Sequence, residues 1–208
     1  TALRLVFSLG RRRGEGADER LILAIVVGTV PAVAFGLLAG DFLESSVRTP
    51  LVVAAAVFAG AALLWVADRA SSLERPLSGI SAIDGLLIGV AQALALIPGI
   101  SRSGATISGG LLLGFSRDAA ARISFLLGAP AIAGAGLLEL RGLLADGVDL
   151  QGAAPLLAAG LIAAFISGLA AIRLLLRILS GGKLWSFALY RIVFALILLG
   201  TALTRGEI

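Results

Sequence analysis

The chain contains no cysteine, no histidine and no methionine in its 208 residues. The first two absences exclude disulfides, thiolate or imidazole metal ligands, Cys or His nucleophiles and any Ser-His-Asp triad. Whatever chemistry occurs must use hydroxyls, carboxylates, arginine, backbone amides or an oxygen-bound metal. Charge is scarce too: charged residues make up 14% of the chain against 59% hydrophobic, and the mean hydropathy is +1.04. Globular chains carry about 25% charged residues, so this one requires lipid as its solvent. Its basic residues, net charge +4, are spread over helix ends instead of one polar face, which argues against nucleic acid and for lipid headgroups as the anionic neighbours. The sequence opens on Thr1 with no initiator residue. The expectation is a single transmembrane domain over 1–208, a C-terminal fragment of a longer chain, in which no signal peptide can be assessed.

What is present is a series of apolar runs. Segments 21–40, 51–67, 119–138, 153–179 and 184–203 are each long enough to cross a bilayer, which takes about 17 to 25 residues. Pro31 interrupts the first, a break that membrane helices tolerate because neighbouring groups re-satisfy the freed carbonyl. Residues 3–10 read as the end of a further helix, followed by a charged loop over 11–20 in which Arg11, Arg12 and Arg13 act as a topology anchor. Segments 41–50 and 68–81 read as polar connections. Gly128, Pro130, Gly134 and Gly136 permit close packing or a bend.

Segments 83–97 and 105–115 are each too short to span, and a Gly, Ser and Arg cluster separates them. Two half-length helices joined by a polar tip form a re-entrant hairpin, allowed at membrane depth where protein or a water-filled cavity shields the backbone. Charge supports this topology. If 83–115 enters and leaves on one side, that side gathers Arg4, Arg11, Arg12, Arg13, Arg20, Arg69, Arg75, Arg117, Arg122, Arg173, Arg177 and Lys183, leaving Arg48, Arg141 and Arg205 on the other. The positive-inside rule makes the crowded side cytoplasmic, and a single crossing would erase the asymmetry.

Arg102 falls at the tip, where a guanidinium in hydrocarbon costs at least a few kcal/mol unless compensated. Ser101, Ser103, Thr106 and Ser108 surround it with hydroxyls, and Gly99 and Gly104 let the backbone approach a bound group closely. The second short helix is expected to begin near Gly104 to Thr106, so that its free N–H groups and positive dipole end face the same point. Arginine, hydroxyls and a helix N-terminus together make an anion site, and the guanidinium fork suits phosphate. The alternative is that Ser101 merely caps the helix while Arg102 snorkels to the interface. Gln92 can hydrogen-bond across to the tip or satisfy a neighbouring helix. Arg191 can snorkel toward the Lys183 end or reach the cavity, and snorkelling is the favoured reading. Asp84 and Asp118 are expected to cap helices, and Ser124, Ser167 and Ser186 to bond their own preceding turns.

The stretch Gln92-Ala93-Leu94-Ala95-Leu96-Ile97-Pro98-Gly99-Ile100-Ser101-Arg102-Ser103-Gly104-Ala105-Thr106-Ile107-Ser108-Gly109-Gly110 resembles the second signature of the bacterial undecaprenyl-diphosphate phosphatases, the bacitracin-resistance family. The likeness continues through Ser116-Arg117-Asp118-Ala119-Ala120, Ile123-Ser124-Phe125-Leu126-Leu127 and Phe187-Ala188-Leu189-Tyr190-Arg191. The resemblance implies an all-α polytopic transmembrane fold with inverted repeats, each carrying a re-entrant hairpin, of which this chain supplies half or more. It implies hydrolysis of an isoprenoid lipid diphosphate to the monophosphate in the bacterial plasma membrane. Arg102, Ser101 and Thr106 then fall at catalytic positions, and Gly99, Ser103, Gly104 and Gln92 at substrate-binding ones. The family's first signature, a Glu-rich stretch followed by Pro-x-Ser-Ser-Thr-Gly-His, has no counterpart here. The resemblance assigns to it the acid/base or nucleophilic groups and most ligands of a divalent cation, Mg or Ca, so this chain alone is expected to be inactive. The implied partners are the lipid diphosphate and membrane lipids, not nucleic acid, and a homodimer stays open. A flippase for lipid phosphates, or a scaffold without chemistry, competes with the hydrolase, because transporters too bind anions at broken helices.

Overall fold

A computed structural model describes residues 15–45, 49–147, 150–180 and 184–205. Its elements are α1 (Glu15–Ser45), α2 (Pro50–Ala70), a 3-10 turn (Leu77–Gly79), α3 (Ala82–Leu94), α4 (Arg102–Leu112), α5 (Arg117–Ala145), α6 (Leu150–Ser180) and α7 (Leu184–Arg205). Among the described residues the protein is all helical apart from one isolated bridge, Arg75 to Phe115. Five helices, α1, α2, α5, α6 and α7, are long and apolar enough to cross a membrane, which makes this a multi-pass membrane protein. The expectations for residues 3–10 and 11–13, and for Arg4, Arg48 and Lys183, lie outside the described residues.

Several helices outrun their apolar segments. α1 takes up residues 41–45, expected as loop, and α5 continues past Glu139 and Arg141 to Ala145. Hydrophobic length fixes how much helix lies in hydrocarbon, while good helix formers such as Leu, Glu and Arg extend it beyond. Pro31 and Pro130 both lie inside continuous helix.

The hairpin is α3 and α4. With 13 and 11 residues they reach about 20 and 16 Å, well short of a hydrocarbon core of about 30 Å. Their outer ends meet at one place. Arg75 N–H donates to Gly114 O at 2.9 Å, and Ser116 N–H donates back to Arg75 O at 2.9 Å. The Arg75 guanidinium clamps the same junction: Nη1 donates to Leu113 O at 2.8 Å, both terminal nitrogens reach the Asp84 carboxylate, and the cation lies 4.2 Å over the buried Phe115 ring. Arg117 Nε donates to Asp68 Oδ1 at 2.6 Å and ties the start of α5 to the end of α2. The segment therefore enters and leaves on one side.

Close backbone approach holds the hairpin against its neighbours. A Cβ at Gly85 would strike the backbone of Ala24, and one at Gly89 that of Gly28, so α1 and α3 run parallel in van der Waals contact. Lipid supplies no hydrophobic force between helices, and small residues that admit such contact take its place. Beneath the tip, Leu64, Ile88, Ile107, Leu111, Ile123 and Leu127 form a core joining α2 to α5. α6 turns its large apolar residues outward, Leu156, Leu161 and Phe165 among them.

Candidate active site

Ser101 sets the tip by capping α4: its Oγ accepts from Gly104 N–H at 3.2 Å, and its carbonyl accepts from Ala105 N–H at 2.8 Å. α4 therefore starts at Arg102, ahead of the expected Gly104 to Thr106, because the cap supplies the acceptors that the first turn lacks. The capping half of the alternative reading holds; the snorkelling half does not. Arg102 folds its guanidinium against Gly128 of α5, where any Cβ would collide with Nη1, and that nitrogen is buried without a hydrogen-bond partner among the described residues.

Gly99 turns the chain with φ of +101°, a conformation that favours glycine. Its open side is filled by α2, since a Cβ there would meet Val53 O at 2.5 Å and the Ala56 methyl at 2.9 Å. The space beside Gly104 is likewise taken by Arg191 Nη1 and the Ser101 side chain. Protein neighbours, not a ligand, occupy the room these two glycines create. Contact with Val53 to Val57 puts the tip roughly 20 Å above Asp68 along α2, close to that helix's Pro50 end.

The hydroxyls divide. Ser103 Oγ lies 3.4 Å from Ser101 Oγ at the tip, and both are half-buried. Thr106 Oγ1 bonds Arg102 O at 2.9 Å and Ser124 Oγ at 2.6 Å, and Ser108 Oγ bonds Gly104 O at 2.7 Å. Ser108 thus closes its own helix and does not reach the tip. Ser124, expected to bond its own turn, instead crosses from α5 to α4, because the face of α5 that carries it is buried against the hairpin. Gln92 is 1% exposed, and neither amide atom has a partner among the described residues.

Arg191 overturns the snorkelling expectation. From α7 its Nη2 donates to Gly99 O at 2.9 Å, and its Nη1 is buried without a partner among the described residues. Gly60 of α2 makes the room: a Cβ there would lie 2.7 Å from Arg191 Nη2. The sequence signal for this contact would have been a glycine on α2 facing an arginine on α7, which spacing within either helix cannot show. The carboxylates stay at the hairpin's feet. Asp84 closes a capping box with Ser81, whereas Asp118 pairs with Arg122 at 2.6 Å and leaves capping to Ser116. Burial alone would push the Asp84 carboxyl up; the bonds from Arg75 and Ser81 outweigh it and hold it below the usual carboxylate range.

Neither Arg102 nor Arg191 has an ion pair among the described residues. Two guanidiniums flank the hairpin tip, which also carries the capped start of α4 and the Ser101 and Ser103 hydroxyls, groups of a kind suited to a phosphate or diphosphate. Among the described residues no group of three or more Asp or Glu could hold a metal ion.

Residues 2–197 match the family model described as bacitracin resistance protein BacA. An undecaprenyl-diphosphatase of a Nostoc species is 46% identical over 193 residues, covering 91% of this chain and 60% of that protein. One from a Synechococcus species is 43% identical over 211 residues, covering 98% and 73%, and one from Moorella thermoacetica is 40% identical over 194 residues, covering 93% and 72%. The chain spans about 60% of the length of the Nostoc relative and nearly three quarters of the other two. With its membrane-spanning helices, its re-entrant hairpin and a match that runs nearly end to end, the chain belongs to the bacitracin resistance protein BacA family.

Proposed function

We propose that the full-length protein hydrolyses undecaprenyl diphosphate to undecaprenyl phosphate and inorganic phosphate in the bacterial plasma membrane. This returns the lipid carrier to peptidoglycan synthesis and confers resistance to bacitracin. The observation that carries the reading is the hairpin tip, where two arginines hold buried nitrogens that no described protein group satisfies. Relatives that share this sequence bear the name of that activity.

In this reaction water attacks the terminal phosphorus, the anhydride P–O bond breaks, and the lipid monophosphate leaves. Negative charge spreads over the equatorial oxygens of the transferring group, where fixed cations and dipoles at a water-poor site are most effective. Arg102 stabilises that charge, and Ser101 and Ser103 bind and orient the phosphates. Thr106 holds the turn that carries Arg102. Gln92, buried with neither amide atom bonded among the described residues, is available to a phosphate oxygen or to an ordered water. A divalent cation, Mg or Ca, belongs to the reading, but the described residues offer no cluster for one and no step is routed through it. The tip's position near the Pro50 end of α2, away from the arginine-rich feet, favours an opening toward the outer face.

The test is phosphate release from a C55 diphosphate in detergent by the full-length protein, with Arg102→Ala expected to abolish it. Lipid binding without any release would sink the hydrolase reading.

A further inference from the structure

We propose that Ser124 and Gly128 of α5 are positioning residues for the proposed reaction, which fix Arg102 at its main chain and at its guanidinium and so aim its charge. The proposal rests on the reading above and extends the machinery from the hairpin to the helix that follows it. α4 and α5 run antiparallel, in a register marked by three contacts a helical turn apart. A Cβ on Gly110 would lie 2.9 Å from the Ala120 methyl, the hydroxyl oxygens of Thr106 and Ser124 are 2.6 Å apart, and Arg102 meets Gly128. Residues 120, 124 and 128 are buried and share one face of α5, successive positions being about 6 Å apart. The first contact lies toward the hairpin's foot and the last at its tip.

A hydroxyl has one proton to donate. Thr106 directs its own to the first turn of α4, to Arg102 O at 2.9 Å and Ser103 O at 3.3 Å, so Ser124 is the donor in the bond between the two hydroxyls. The Arg102 carbonyl is thereby tied through Thr106 to α5. A serine that served only its own helix would bond the preceding turn. At the other end of the residue, the three heavy atoms nearest to a Cβ built on Gly128 are Nη1, Cζ and Nη2 of Arg102. The colliding group is the far end of a flexible side chain and not backbone, so a methyl at 128 displaces the guanidinium while the helices keep their register. Nη1 is buried there with no hydrogen bond among the described residues to hold it, and the bare surface of Gly128 defines where it lies. A cation stabilises a transition state most when its place is fixed in advance, and a misplacement of about 1 Å can cost about a hundredfold in rate. Packing of α4 on α5 needs a small residue opposite Gly110, but it needs no hydroxyl at 124.

The experiment uses the full-length protein in detergent, with farnesyl diphosphate for phosphate release, a non-cleavable farnesyl diphosphonate for binding, and thermal melting. Gly128→Ala should lower kcat about tenfold to a hundredfold, and KM should rise by much less. Ser124→Ala should lower kcat about threefold to tenfold with KM nearly constant. Thr29→Val serves as the control, because the Thr29 hydroxyl donates to Ile25 O of its own helix at 2.7 Å, and its kcat should stay at the wild-type value. In melts, Gly128→Ala should cost fewer degrees in an Arg102→Ala background than in the wild type, since the colliding group is gone. An unchanged kcat in a folded Gly128→Ala or Ser124→Ala overturns the proposal, as does a raised KM with kcat untouched. A loss of kcat in Thr29→Val as large as that in Ser124→Ala overturns it too, because any buried hydroxyl would then do the same. If Gly128→Ala fails to fold, Ser124→Ala decides. A wild-type protein that binds the diphosphonate yet releases no phosphate ends the hydrolase reading. The positioning of Arg102 is then judged on diphosphonate affinity, which Gly128→Ala should weaken about threefold; equal affinity overturns the assignment.

Discussion

The hydroxyl of Thr106 is engaged inside the protein. Its single proton and its lone pairs are shared among Arg102 O, Ser103 O and Ser124 Oγ, so its effect on phosphate passes through the shape of the first turn of α4. Thr106→Val and Ser124→Ala should each cost about 1 kcal/mol of stability, and a double-mutant cycle in thermal unfolding should show coupling of similar size. Strict additivity would mean that the two hydroxyls do not act together. Arg102→Lys retains the charge and loses the fork; phosphate-release assays should find at least about a hundredfold less activity. Arg102 was legible in the sequence because a lone charge between two half-length apolar runs has no cheap explanation. Ser124 was not, and Arg191 only as one of two options, because each lies in an otherwise ordinary helix. What makes them part of the tip is which face meets which neighbour, and that is settled by Gly60 on α2 and by the buried side of α5.

The hairpin as an element depends on its feet. Arg75 is partly solvated, yet it satisfies the carboxylate of Asp84, which is 6% exposed, together with two backbone carbonyls. Arg75→Ala should lower stability by about 1–2 kcal/mol, the lower end reflecting solvent screening, as read from thermal melts in detergent. Because the folded Asp84 carboxyl titrates below its unfolded value of 3.8, its contribution is complete above that value and disappears as the pH falls through the folded one. Melting temperatures of Asp84→Asn and wild type should accordingly differ near neutrality and converge as the pH is taken below 3.8. Residue 99 is a second control point: Gly99→Ala forces an unfavourable φ and pushes into Val53 O, and it should displace the tip and reduce phosphate release. The existence of the hairpin followed from length, with the arginine bias in support. The start of α4 was misjudged by a few residues because Ser101 was weighed as a ligand group first and a cap second, and it is a cap in the structure.

For the whole molecule, the hairpin topology and the charge distribution agree. The described arginines at 20, 69, 75, 117, 122, 173 and 177 fall at one set of helix ends, and those at 141 and 205 at the other. The natural absence of cysteine allows a direct check. Single cysteines at Ser78 and Asp118, both exposed, should react with an impermeant thiol reagent from the cytoplasmic face, and one at Gly142 from the opposite face. Labelling of 78 and 118 from different sides would remove the hairpin. Topology was readable because apolar length and arginine bias are sums over many residues and survive errors at any one of them. Helix contacts were not, since lipid rewards shape at particular glycines over pattern. One consequence follows from the paired hydrogen bonds between Arg75 and the Gly114 to Ser116 backbone. Crossing helices answer a thinner or thicker bilayer by tilting, whereas a loop knotted to itself at the waterline carries its apex at a distance measured from its own base. The tip should therefore keep its depth, and the proposed phosphate release its rate, across membranes of differing acyl length.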